Sequence, residues 1–211
     1  MLAAVTGTGM RRPNPLNDAG DVESGPQGTS PTQKPNPNCI ANAVAGATGL
    51  ARPFGNVGPN GSIGHDGVHA LAPAGSLVRT LPALTGKVID THNGGDGTKI
   101  VDVLLNNGNI AIYKDLLPGS IGVQNGQRLS AGSVIGRVGK GTDYPGLHFA
   151  LLKGGKKEHD YYRGLTRRVA GGDYSAASNI KASMFINPLG PNSPVNCPGV
   201  PVNNAGVNPH P

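Results

Sequence analysis

The sequence predicts a mainly β protein, an antiparallel β-sheet or sandwich with short helices and extended Pro/Asn-rich arms. Three observations carry this. From about Arg52 onward, short apolar runs are separated by Gly, Asn and Asp, the punctuation of strands and turns. Gly (34) and Pro (19) make up about a quarter of the 211 residues, and aromatic residues only 4%, a composition poor in long helices. Asn106-Asn107-Gly108 lies between two alternating apolar segments, which is a hairpin signal.

Taken in order, residues 1 to about 37 are rich in Pro, Asn, Gly, Ser and Thr and read as an arm or linker. Ile40 to Leu50 is Ala-rich and is expected to form a short helix capped by Asn38, weakened by Gly46 and Gly49. Strands are expected at Ser76–Arg79, Gly86–Asp90, Thr98–Leu105 and Asn109–Leu116, the last with Ile110 and Ile112 on one face and Tyr113 on the other. Asn93 to Gly97 reads as a flexible connection. Smaller β pieces follow at Ile121–Val123, Arg128–Leu129 and Ser133–Val138, and His148–Leu152 closes the series. Glu158–Val169 reads as a basic helix and Ser175–Ser183 as a second short one. This gives an N-terminal arm over 1–51, a central domain over 52–190 with an insertion at about 153–183, and an extended C-terminal tail over 191–211 that docks on a partner or stays loose.

The length suits one core. A net charge of +6 suits an anionic partner or simple solubility. Lys153, Lys156, Lys157, Arg163, Arg167 and Arg168 carry much of it, but only Tyr161 and Tyr162 are interleaved with them as stacking platforms, so nucleic acid is not expected. No apolar run is long enough to span a bilayer, and no block of signal-peptide length follows Arg11-Arg12. Cys39 and Cys197 flank the central region, compatible with either a disulfide or two separate thiols.

Chemistry concentrates in three histidines. His65 and His69 stand four apart in a Gly-rich segment, and His148 lies about eighty residues later in a strand-like run. Three imidazoles can converge on one metal ion. Asp66 can orient an imidazole, but beside a Gly-rich turn it is expected to face solvent. His92, His159 and His210 are expected on the surface.

The residues around these histidines resemble the lysostaphin-type, or LytM-type, zinc endopeptidases. His65, Gly67, Val68, Ala72, Pro73 and Gly75 follow the family's first motif, with His69 where the family has a metal-binding Asp. Tyr113-Lys114-Asp115-Leu116 is similar to its Tyr-x-His-Leu segment, so Asp115 stands at a catalytic His position. Gln127-Arg128-Leu129 and Val134 to Gly139 match the segment that precedes the final motif. That motif, Gly-Pro-His-Leu-His-Phe-Glu in the family, reads Tyr144-Pro145-Gly146-Leu147-His148-Phe149-Ala150 here. His148 keeps a ligand position, while Gly146 replaces the general-base His and Ala150 the Glu. Phe185-Ile186-Asn187-Pro188 is similar to the close of such domains.

The resemblance implies a lysostaphin-type fold (duplicated hybrid motif-like), a Zn2+ site at His65, His69 and His148, and bacterial peptidoglycan as partner. Hydrolysis needs a proton acceptor and oxyanion stabilisation. Gly146 offers neither, and Asp115 offers only the first, as the one candidate catalytic residue. Tyr113, Asp143 and Tyr144 are substitutes only if aimed inward. The expectation is a peptidase-like pseudoenzyme that acts structurally or as a cell-wall-binding part of an assembly such as a phage tail or virion, meeting other subunits through its arms. The alternative is an active zinc-dependent peptidoglycan endopeptidase with a three-histidine site.

Overall fold

A computed structural model describes residues 36–51, 54–57, 61–94, 97–140 and 145–203. The strands are β1 (Gly49–Ala51), β2 (Gly55–Val57), β3 (Ile63–His65), β4 (Gly67–Leu71), β5 (Leu77–Arg79), β6 (Gly86–Asn93), β7 (Lys99–Leu105), β8 (Ile110–Leu116), β9 (Arg128–Leu129), β10 (Val134–Arg137), β11 (Gly146–Leu152), β12 (Phe185–Ile186) and β13 (Val202–Asn203). The α-helix among the described residues is α1 (Lys156–Ala170).

The main sheet runs β13-β1-β4-β11-β8-β7-β6-β9, with β12 also paired to β11. Every pairing in it is antiparallel except that of β1 with β13. Two small ribbons, β5 with β10 and β2 with β3, stand apart from it. The period-2 alternation of β8 divides its residues between two apolar layers. Ala111 and Tyr113 join Val68, Ala70, Val101, Val103, Phe149 and Leu151 in the larger core, which Val78, Ile135 and Val138 of the small ribbon region help to close. Ile110 and Ile112 lie in the other layer with Ala150, Leu152, Tyr162 and Phe185.

The strands expected at Gly86–Asp90, Thr98–Leu105 and Asn109–Leu116 are present, and the Asn-Gly turn joins β7 to β8 with Gly108 at φ +85°. Ile121–Val123 is not a strand, although Gly122 N–H donates to the Ile135 carbonyl at 3.0 Å. The basic helix forms as α1, and the second expected helix appears as two 3-10 turns, Tyr174–Asn179 and Ala182–Met184.

Ile40 to Leu50 differs from expectation. It forms a 3-10 turn over Ile40–Ala43 and then strand β1. Asn38 does not cap it: its Oδ1 accepts from the Ala83 N–H at 2.9 Å. The reason is burial. Leu50 and Ala51 are fully enclosed between β4 and β13, where ladder bonds satisfy the backbone, and Gly46 at φ +72° turns the chain before them.

The C-terminal segment also packs on its own chain as far as Asn203. Val195 is fully buried, its carbonyl accepts from Ile40 N–H at 3.1 Å, and Asn36 bonds Asn196 at 2.8 Å. A Cys39–Cys197 disulfide, closing a separation of 158 residues, ties this segment to the first turn. Of the arms, residues 1–35 and 204–211 lie outside the described residues.

Candidate metal centre

The register of the main sheet creates the site. His69 on β4 lies directly opposite His148 on β11, and His148 lies opposite Lys114 on β8. Cross-strand partners share a face, so the three side chains form one row. His65, at the end of β3, enters the same face after a single intervening residue before β4. The ring centroids of His65 and His69 are 5.2 Å apart, and each is 4.8 Å from that of His148. One ring nitrogen from each lies within 4.8 Å of the others. His65 and His69 are buried, and all three line a cavity of about 360 Å³.

Gly67 makes the close approach possible. A Cβ there would sit 2.1 Å from the Phe149 carbonyl oxygen and 2.9 Å from His148 Nε2. Any larger residue would push β4 off β11 and the third histidine out of the row.

Asp66 is not solvent-facing. Its side chain is only 12% exposed, and Oδ1 lies 2.8 Å from His148 Nε2. Oδ2 accepts from Lys114 Nζ at 2.6 Å and from the Tyr162 hydroxyl at 2.7 Å. Burial pushes its carboxyl upward, but the Lys114 charge and the His148 bond prevail and hold it well below the usual carboxylate range. Burial likewise opposes the charge of Lys114, and Asp66 outweighs it, so the ammonium holds its proton more tightly than usual. Tyr162 comes from α1, inside the segment read as an insertion, and burial beside Asp66 raises its phenol. No sequence pattern marks Tyr162. Lys114 was legible only as the neighbour of Asp115.

Asp115 also lines the cavity, with Oδ2 4.0 Å from His69 Nδ1. Alternation from Tyr113 would send it to the far face, but its φ of +61° turns it back at the strand end. Gly146 is locked differently. It pairs with Leu71, has φ +155°, and a Cβ on it would meet the Ala70 carbonyl oxygen at 2.3 Å. Tyr113 is fully buried in the opposite layer against Phe149, centroids 5.3 Å apart, and does not reach the cavity. Asp143, Tyr144 and His210 lie outside the described residues.

His92 and His159 are not surface residues. His159 on α1 is buried, with Nε2 2.7 Å from Asp102 Oδ2. The His92 side chain is 12% exposed, and burial pushes its imidazole pKa down. The packing of α1 on β6 and β7 encloses both, a long-range contact that local composition does not report.

Residues 63–160 match the family model of peptidase family M23. Over this stretch the chain is similar to the M23 peptidases. No curated protein matches the chain. Among solved structures it is similar to the catalytic domain of prophage-encoded M23 protein EnpA from Enterococcus faecalis, with 24% identity over 50% of this chain and 81% of that one (TM-score 0.41). It is similar to LytU at 27% identity, covering 52% and 76% (TM-score 0.41). With lysostaphin from Staphylococcus simulans the match is 17% identity over 67% of this chain, about half (48%) of that chain's length (TM-score 0.46). The mainly β, antiparallel architecture is the one expected of a lysostaphin-type M23 domain. No helix among the described residues is long and apolar enough to cross a membrane.

The histidine cluster fits zinc on the chemistry of its donors. Three imidazoles, converging to within 4.8 Å in a cavity, form a known type of catalytic zinc set. His65, His69 and His148 are the residues that would hold the ion.

Proposed function

We propose that the chain is a peptidoglycan-directed M23-type module that binds zinc through His65, His69 and His148 and is impaired in hydrolysis. The observation that carries this is the backbone at Gly146. The family's general-base position lacks a side chain, and the Ala70 carbonyl stands where a Cβ would go. When bound, zinc supplies Lewis acidity. The chain's own residues supply less. Lys114 and Tyr162 are engaged with Asp66, and Asp115, as an anion, cannot donate to an oxyanion. The Pro/Asn/Gly-rich composition of residues 1–35 supports a place in a larger assembly, such as a phage tail or virion part that meets the wall.

One observation favours an active enzyme instead. Asp115 lines the cavity 4.0 Å from His69, where its carboxylate can accept a proton from an attacking water. Zymography on purified cell wall, with zinc analysis after dialysis, separates the readings. We expect retained zinc of which His148→Ala removes one equivalent, cosedimentation with peptidoglycan, and no clearing. Clearing that requires both zinc and His148 overturns the impaired reading in favour of the active one. Failure to cosediment removes the wall-directed role.

A further inference from the structure

Beneath α1, on the same sheet face, lies a second group of side chains with metal-ligand chemistry. Asp90 and His92 come from β6, Asp102 from β7 and His159 from α1. One ligand atom from each of Asp90, His92 and Asp102 lies within 4.8 Å of the others. His92 Nδ1 is 3.3 Å from Asp90 Oδ2 and 3.7 Å from Asp102 Oδ2. Ligands at zinc distances of about 2.0–2.2 Å in a tetrahedron lie about 3.3–3.6 Å apart, close to the two separations from His92.

Two further observations point to a missing ligand. Asp102 is fully buried, yet its Oδ1 has no hydrogen-bond partner. His92 Nδ1 is buried between the two carboxylates and also makes no hydrogen bond. A buried acceptor left unsatisfied is costly, and a cation resolves it. His159 Nε2 lies 2.7 Å from Asp102 Oδ2, the oxygen that also faces His92, and orients the carboxylate as an outer-shell partner does. A cavity of about 180 Å³ lined by His92, Asp102, Arg163 and Thr166 adjoins the group.

We propose that Asp90, His92 and Asp102 form a second divalent-metal site, distinct from the three histidines, for a borderline first-row ion such as zinc. The mixed imidazole and carboxylate donors select that class over calcium or magnesium. Arg163, whose Nε lies 3.3 Å from Asp90 Oδ2, holds Asp90 when the ion is absent and competes with it for that carboxylate. The site links β6 and β7, and through His159 its occupancy bears on how firmly α1, and with it Tyr162, sits over the first cavity.

The test is zinc titration of the full chain by calorimetry, with folding checked by circular dichroism. A His65→Ala/His148→Ala variant is expected to bind one equivalent of zinc, and adding His92→Ala or Asp90→Asn is expected to abolish it. Arg163→Gln in the same background is expected to tighten binding about threefold or more, by removing the competing cation. A group that served only to clamp α1 through ion pairs would instead lose helix stability and gain no affinity. No zinc bound by the folded double variant, binding indifferent to both His92→Ala and Asp90→Asn, or an unchanged affinity in Arg163→Gln overturns the proposal. Failure of the three-histidine site alone gives a different pattern: one equivalent in the wild type, lost with His92→Ala and kept with His148→Ala.

Discussion

Gly146→Ala is the sharpest test of how the sheet has accommodated the lost histidine. The new Cβ would lie 2.3 Å from the Ala70 oxygen, 3.0 Å from the Ala70 carbonyl carbon and 3.1 Å from the Leu71 Cα. All three are backbone atoms of β4, so no side chain can swing aside. Overpacking of this kind costs about 1–3 kcal/mol. Holding a non-glycine residue at φ +155° adds about 1–3 kcal/mol, for a total of about 2–6 kcal/mol. Gly108→Ala is the internal control. Its φ is +85°, but nothing lies within 4 Å of the added Cβ, so only the backbone term applies. Urea unfolding followed by far-ultraviolet circular dichroism measures both, since the chain has no tryptophan. The expected order is a clearly larger loss at Gly146 than at Gly108. Gly146→His should lose at least as much stability and recover no clearing on cell wall. A Gly146→Ala variant within about 0.5 kcal/mol of the wild type would refute the packing argument.

Three other perturbations follow from the same geometry. Lys114→Met strips Asp66 of its cationic partner in a largely buried setting and should cost about 3 kcal/mol in urea unfolding; a loss below about 1 kcal/mol would mean that His148 and Tyr162 suffice. Tyr162→Phe removes one charged hydrogen bond to Asp66 while keeping the ring against Phe185, centroids 5.4 Å apart. It should cost about 1.5–3 kcal/mol, with helix content unchanged by circular dichroism. Reducing the Cys39–Cys197 disulfide frees a loop closed over 158 residues and should lower the unfolding free energy by up to about 5 kcal/mol, an effect absent from a Cys39→Ser/Cys197→Ser variant treated with the same reductant.

Local pattern was enough for much of this molecule. Alternation over Thr98–Leu105 and Asn109–Leu116, with Asn-Gly between them, defines the central hairpin, because side-chain period and turn chemistry are properties of neighbouring residues. The clustering of His65, His69 and His148 was readable too, since each histidine sits in a short motif. What lay beyond reach depends on packing between distant segments. Ile40–Leu50 has the composition of a helix, yet Leu50 is drawn into the sheet by partners at Ala70 and Val202. Asp66 sits in a turn-like sequence, and its burial follows from Lys114 and Tyr162, 48 and 96 residues away. His92 and His159 looked like surface residues until α1 closed over β6 and β7. Composition and motif named the architecture and the three histidines. The charges around them, and the second cluster beneath the helix, exist only where remote residues bring partners into a space that excludes water.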